Sequence, residues 1–127
     1  MENLNIEATK YTPEIVSDLS TNTLSLMGKS YPENTFEFYE PVIEWIERLI
    51  KEGADQELTF NFEILYYNSS SSKAFFDIFD TLEEACEDGA KITVNWIYDP
   101  DNETMEEAGE DFAEDFESLA FNVVEKS

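Results

Sequence analysis

A run of four hydroxyl side chains lies where one sequence pattern ends and another begins. The segment Asn68–Lys73 reads Asn-Ser-Ser-Ser-Ser-Lys. Each serine carries one hydroxyl, which can cap a helix or accept a phosphoryl group from a kinase. A phosphate adds about −1.5 to −2 charges and three acceptor oxygens, so its attachment would change how this surface meets a partner. The segment is therefore a candidate phosphorylation switch.

The serine run is predicted to start a helix that follows a buried strand. Before the run, apolar residues recur at every second position, as in a strand with one buried face. These residues are Leu58, Phe60, Phe62 and Ile64. After the run, helical spacing connects Phe75, Ile78, Phe79, Leu82, Ala85 and Cys86. The serines would thus lie at a helix N-terminus, where unpaired N–H groups and the helix dipole favour a capping oxygen or a phosphate.

Periodicity and turn residues predict alternating elements along the whole chain. Strands are predicted at 4–8, 14–19, 23–28, 57–67, 91–98 and 121–124. Helices are predicted at about 35–52, 70–87 and 104–117. Asn34 with Glu37, or Ser30 with Glu33, would cap the first, and Gly89 would end the second. Pro41 is expected to kink the first helix or to delay its regular part. This order indicates an α/β protein with one mixed sheet and three main helices, in a single domain over residues 1–127.

The charge and the composition exclude several classes of function. Thirty acidic residues against seven basic ones give a formal net charge of −23. This charge repels nucleic acid and anionic membranes, while it suits a basic protein partner or a solubility or high-salt adaptation. The chain has no histidine and one cysteine, Cys86, which is expected in the core, so histidine-activated nucleophiles and multi-cysteine zinc sites are excluded. No secretory signal or membrane span is recognisable, and a cytoplasmic location is expected.

Three acidic patterns offer candidates for further chemistry. Residues 99–110 loosely follow the spacing of a calcium loop, but Thr104 stands where that loop needs a glycine, so no metal is expected. Asp77 and Asp80 could act as general acid and base, but no nucleophile accompanies them. The acidic third helix is either a solvated face or a docking surface for a basic partner. The sequence therefore indicates no catalytic residue and no cofactor.

Several segments resemble one protein family. They are Ser30–Asn34, Val42–Arg48, Leu65–Ala74 and Asp77–Asp80, together with Trp96 and Tyr98 before the acidic third helix. Over nearly the whole chain, these residues look like the SiaC family of bacterial regulatory phosphoproteins. The resemblance implies a fold similar to STAS domains, the anti-sigma-factor antagonists. In those domains the phosphorylated Ser or Thr lies between a strand and the following helix.

The resemblance implies a partner switch rather than an enzyme. In that family a SiaB-type serine/threonine kinase adds the phosphate and a SiaA-type PP2C-like phosphatase removes it. The unphosphorylated form binds and activates a diguanylate cyclase, which raises cyclic di-GMP and favours aggregation or biofilm formation. The alternative is an acidic protein- or ligand-binding module whose serine run only caps a helix.

The same resemblance points to the acceptor. The family's phosphorylated threonine directly follows an asparagine, which corresponds to Ser69 here, with Ser70 as the second choice. The neighbours expected to contact a phosphate or a partner are Tyr67, Asn68, Ser70, Ser71, Lys73 and Asp77. Backbone N–H groups and Lys73 would hold the phosphate, so phosphorylation should change binding and leave the fold intact.

Overall fold

The computed structural model describes residues 1–53 and 55–127, which form one mixed sheet and three helices. The strands are β1 (Asn5–Ile6), β2 (Glu14–Asp18), β3 (Thr23–Ser30), β4 (Glu57–Tyr67), β5 (Lys91–Tyr98) and β6 (Ala120–Glu125). The helices are α1 (Thr35–Glu52), α2 (Ser69–Glu87) and α3 (Glu103–Asp115). The predicted α/β class with a mixed sheet and three main helices is confirmed.

The strands lie side by side in the order of the chain. The pairs β1–β2 and β2–β3 are antiparallel, and the pairs β3–β4, β4–β5 and β5–β6 are parallel. A helix connects the strands of each parallel pair. Ser30 at the end of β3 pairs with Tyr67 at the end of β4. The helices that follow these two strands, α1 and α2, therefore start next to each other at one edge of the sheet.

The helices bury one face of the sheet and leave the other accessible. The buried strand residues alternate along the chain and include Leu24, Leu26, Leu58, Phe60, Phe62, Ile64, Ile92, Val94 and Trp96. On the accessible face three amides form a hydrogen-bonded row across neighbouring strands. Asn122 donates to Asn95 at 3.1 Å, and Asn95 donates to Asn61 at 2.9 Å. The alternation of apolar and polar residues in the sequence therefore indicates two layers, a sheet and the helices packed on one of its faces, with the other face open to water.

Helix α3 packs tightly against the sheet at Gly109. This glycine is buried, and a Cβ atom at its position would overlap the indole ring of Trp96. The Trp96 Nε1 donates a hydrogen bond of 2.8 Å to the carbonyl oxygen of Met105, one turn earlier on α3. Glycine inside a helix costs about 1 kcal/mol relative to alanine. The close contact with Trp96 explains why α3 contains a glycine at this position.

The predicted boundaries differ from the structure where capping and bulges act. Asn68 and Asn102 cap α2 and α3, so these helices begin at Ser69 and Glu103, one residue earlier than predicted. Strand β3 continues through a register shift after Gly28 to Ser30 instead of ending at Gly28. Strand β1 is limited to Asn5–Ile6 within the predicted 4–8. These differences follow from local hydrogen bonding that periodicity does not detect.

The delayed start that Pro41 led us to expect for the first helix is wrong. Helix α1 begins at Thr35 and includes Pro41, with Asn34 Oδ1 accepting from the Glu37 N–H at 3.1 Å as the predicted cap. Pro41 is exposed, so water can reach the Glu37 carbonyl that lacks its helical donor. After α2, Gly89 has a φ of +104°, the left-handed conformation expected of it. Within 1–53 and 55–127 no helix is long and apolar enough to cross a membrane.

Candidate functional site

Asn68 caps α2 in place of the serines. Its Oδ1 accepts a hydrogen bond of 2.9 Å from the Ser71 N–H, and its own N–H donates to the Ser30 carbonyl at 3.1 Å. The short amide side chain can turn back onto the first helical turn, which is why asparagine is among the preferred capping residues. The idea that a serine of the run provides the cap is therefore wrong, and the four serines lie inside the first turns of the helix.

Beneath the site, Ser71 belongs to a buried hydroxyl network. Ser71 and Ser30 are 0% exposed and Tyr39 is 1% exposed. The Ser30 Oγ lies 2.8 Å from the Ser71 Oγ and 2.5 Å from the Tyr39 hydroxyl. These three side chains come from α2, β3 and α1, and they satisfy one another without a charge. Ser71 is thus a structural residue that neither a kinase nor a partner can reach while α2 is folded.

Because Tyr39 is buried, we expect the protein to lose stability at alkaline pH. Burial raises the pKa of Tyr39 above its ordinary value of 10.0, so the folded protein keeps a proton that the unfolded chain loses. The free energy of unfolding should therefore fall above about pH 10, by up to about 1.4 kcal/mol per pH unit for this group. Urea unfolding between about pH 9 and pH 11 measures this slope. Tyr39→Phe cannot titrate and should give a shallower slope, whereas equal slopes would contradict the prediction.

Ser69 and Ser70 are both exposed, but their hydroxyls differ in hydrogen bonding. The Ser70 Oγ lies 2.8 Å from the Thr35 Oγ1 and donates to the Asn68 Oδ1 at 3.2 Å. The Ser69 hydroxyl takes part in neither of these bonds, nor in the Asn68 cap. Ser72 is half-buried. Ser69 is consequently the serine whose hydroxyl meets least competition for reaction.

The N-termini of two helices meet at these serines. The hydrogen bond between Thr35 and Ser70 joins the first turn of α1 to the first turn of α2. Both helix dipoles turn their positive ends toward this surface, which favours a negative group. Lys73 follows Ser69 by one helical turn and shares its side of α2, and Asp77 lies one turn further. A phosphate on Ser69 would therefore lie near the free backbone N–H groups of the first turn and near the Lys73 ammonium.

Tyr67 lies below this surface, between α2 and α3. Its ring centroid is 5.4 Å from that of Phe75, 6.2 Å from that of Trp96 and 6.3 Å from that of Phe112. Burial raises the pKa of the Tyr67 hydroxyl, and the nearby Ser72 side chain partly opposes this rise. The role expected for Tyr67 as a contact for partners stays a prediction, and its position favours packing. The more accessible aromatic of the site is Phe36, 74% exposed.

A groove of about 240 Å³ opens between α1 and α2 beside the serines. Phe36, Tyr39, Ile43 and Ala74 form its apolar part. Its polar lining consists of Thr35, Glu40, Ser70, Lys73 and Asp77. Helical periodicity does not indicate Phe36 or the groove, because it identifies only the side of a helix that faces the sheet. A large aromatic residue on the outward side of α1 is the signal that could have indicated it.

The remaining candidate residues form a turn, a helix cap and contacts with the core. The Asp99 carboxylate accepts from the Asp101 N–H at 2.9 Å, and Asn102 caps α3 while its amide donates to the Leu65 carbonyl at 3.2 Å. The spacing that loosely resembles a calcium loop thus builds a turn and a helix cap. No cluster of three or more potential metal-ligating side chains occurs among the residues that the structure describes. Cys86 is half-buried against the core.

Comparison with known proteins assigns the chain to a family. Residues 6–126 match the model of the "SiaC family regulatory phosphoprotein". The chain belongs to the SiaC family. This SiaC-family protein is 43% identical to an uncharacterised protein of Pseudomonas aeruginosa strain UCBPP-PA14. The alignment spans 115 residues, which are 91% of this chain and 90% of that relative. The predicted family and its regulatory phosphoprotein function are thereby confirmed.

Solved structures of SiaC share the fold of this SiaC-family protein. A chain in the crystal structure of the diguanylate cyclase SiaD in complex with its activator SiaC, from P. aeruginosa, superposes with a TM-score of 0.86 at 40% identity, covering 96% of this chain and 97% of that one. A second SiaC structure of P. aeruginosa gives 0.85 at 38% identity, covering 98% and 97%. The apo-SiaC structure gives 0.85 at 36% identity over the full length of both chains.

Proposed function

We propose that this protein is a non-enzymatic partner switch controlled by phosphorylation of Ser69. A SiaB-type serine/threonine kinase adds the phosphate and a SiaA-type PP2C-like phosphatase removes it. The unphosphorylated form binds and activates a diguanylate cyclase, so the switch controls cyclic di-GMP and with it aggregation or biofilm formation. The choice of effector is supported by the relative SiaC, whose structure was solved with the cyclase SiaD that it activates. The proposal places the protein in the cytoplasm, where ATP and GTP are available.

The observation that carries the proposal is the hydroxyl of Ser69, which is exposed and lies in the first turn of α2. In the kinase reaction the Ser69 oxygen bonds to the γ-phosphorus of ATP, the bond to ADP breaks, and the hydroxyl proton passes to a base of the kinase. Ser70 is the second choice, because its hydroxyl is engaged by Thr35 and Asn68. Ser71 would first have to leave the core.

The new charge affects binding more than folding. At the N-terminus of α2 an anion is stabilised by about 0.3–1 kcal/mol, so the phosphorylated protein keeps its fold. A partner that packs against the neutral hydroxyl would instead have to remove water from a dianion. The alternative of a binding module whose serines only cap a helix loses its structural support, because Asn68 supplies the cap. Tyr67, Asn68, Ser70, Lys73 and Asp77 surround the switch as its proposed neighbours.

Two measurements test this proposal. Incubation with a SiaB-type kinase and ATP is expected to place one phosphate on Ser69, located by mass spectrometry of the peptide that contains the serine run. Ser69→Ala should remove this phosphate and Ser70→Ala should leave it. Calorimetry with a purified diguanylate cyclase should show affinity reduced about tenfold or more by phosphorylation, or about 1.4 kcal/mol.

The controls separate the site from the mechanism. Ser69→Ala treated with the kinase should bind the cyclase as well as the untreated wild-type protein does. A phosphate found only on Ser70 or Ser72 would show that the acceptor is wrong. A fully phosphorylated protein that binds the cyclase with unchanged affinity would refute the switch itself.

A further inference from the structure

We infer that the groove between α1 and α2 receives one large apolar side chain from a basic segment of the effector. This inference rests on the proposed function, because it names the surface by which the unphosphorylated protein holds its effector. The groove has a volume of about 240 Å³ and an apolar part built by Phe36, Ile43 and Ala74 above the buried Tyr39. A cavity of about 150 Å³ is enough for a benzene ring. The groove therefore has room for a phenylalanine, leucine or methionine side chain.

Phe36 indicates that this groove is covered in a complex. It is 74% exposed, the largest exposed fraction among the large apolar side chains in the described residues. In this position the ring contributes little to the fold, whereas its burial against a partner would remove a large apolar surface from water and stabilise the contact. Phe36 lies in the first turn of α1, at the end of the groove that also contains Ser70. An apolar anchor that enters beside Phe36 would thus lie next to the switch.

The charge around the groove selects a basic partner. Glu40 and Asp77 line it, and Glu37 and Glu44 lie one turn before and one turn after Glu40 on α1. Lys73 is the single cation among the lining residues that the structure describes. Lysine or arginine residues beside the anchor would complement this rim and speed the encounter. A second copy of this chain would bring another net charge of −23 and is disfavoured as the occupant.

The groove connects the switch to the binding of the effector. A phosphate on Ser69 lies one turn before Lys73 and would pair with it at the mouth of the groove. The hydrated phosphate adds attraction for basic side chains, but an apolar anchor entering the groove must remove its water. Because the anchor supplies most of the contact energy, phosphorylation weakens binding. This reasoning places the action of the phosphate at the groove rather than in a change of fold.

Calorimetry with purified SiaD of P. aeruginosa as the probe tests the groove. Phe36→Ala is expected to reduce affinity at least about tenfold, as for a central anchor contact. Ala74→Leu, which fills the groove, should have a similar effect. Phe76→Ala is the matched control, because Phe76 is 45% exposed on α2 and does not line the groove. It should change affinity by less than about twofold, and thermal unfolding should show that each variant is folded.

Each result decides one part of the inference. Unchanged affinity in both Phe36→Ala and Ala74→Leu, with normal binding by the wild type, would overturn the groove and leave the proposed switch intact. No binding by the unphosphorylated wild type would refute the proposed effector instead. Glu40→Lys should weaken binding, and stronger binding would show that the partner is not basic. Phosphorylation should matter less in Phe36→Ala than in the wild type, and fully additive effects would show that the phosphate acts elsewhere.

Discussion

Replacing Ser71 with aspartate is expected to lower the free energy of unfolding by about 3–5 kcal/mol, because an unpaired carboxylate would enter a site that is 0% exposed. The neighbouring Ser30 and Tyr39 hydroxyls can donate to it, but no cation lies in their network. Ser71→Ala removes one hydroxyl of the network and should cost about 1–3 kcal/mol. Urea unfolding followed by circular dichroism measures both changes.

Ser69→Asp is the matched control, since it adds the same charge two residues earlier in the same helix. It should change stability by less than about 1 kcal/mol, and a small gain is expected from the helix dipole. Equal destabilisation by Ser69→Asp and Ser71→Asp would contradict the orientation of α2, in which Ser69 faces water and Ser71 faces the core. The large difference between them is the physical reason why a kinase can modify the first serine and not the third.

Gly109→Ala is expected to lower the free energy of unfolding by about 1–3 kcal/mol, because the new methyl group would overlap the Trp96 ring. Helix propensity alone predicts the opposite, a gain of about 1 kcal/mol. The sign of the effect therefore distinguishes close packing from propensity. Thermal unfolding should show a lower midpoint, by about 4 °C for each kcal/mol in a protein of this size.

A double-mutant cycle identifies the cause of that destabilisation. Trp96→Phe removes the larger ring and the hydrogen bond to Met105, so it should be destabilising in the wild-type background. In the Gly109→Ala background the smaller ring also relieves the overlap, and its cost should be lower. Additive effects would show that the alanine acts without touching Trp96. A stabilising Gly109→Ala would contradict the packing of α3 described above.

The acidic third helix does not line the groove. It carries exposed carboxylates on the side away from Met105, Gly109 and Phe112, which face the core. Its two readings, a solvated face and a docking surface for a basic partner, stay predictions. The groove lies between α1 and α2, so variants in α3 would affect it only through the long-range charge. A salt-dependent change in association rate alone would fit that contribution.

The local patterns of the sequence determined the elements and their order. Strands β4 and β5 and helix α1 have the predicted bounds, because alternation and helical spacing follow from which residues can face a core. The cap at Asn34 was also predicted, since it depends only on the residues of the first turn. The same patterns placed the serine run at the start of a helix after a buried strand. The family resemblance added Ser69 as the acceptor.

Only the tertiary structure decided what each serine of the run does. Asn68 caps the helix, and the packing of α2 on the sheet turns Ser71 inward to Ser30 while Ser69 faces water. Ser30 and Ser71 are 41 positions apart in the chain, so no local pattern could connect them. The groove likewise needs two helices that are separated by β4 in sequence. Secondary structure was readable because it depends on neighbours in the chain, whereas accessibility depends on contacts that only folding creates.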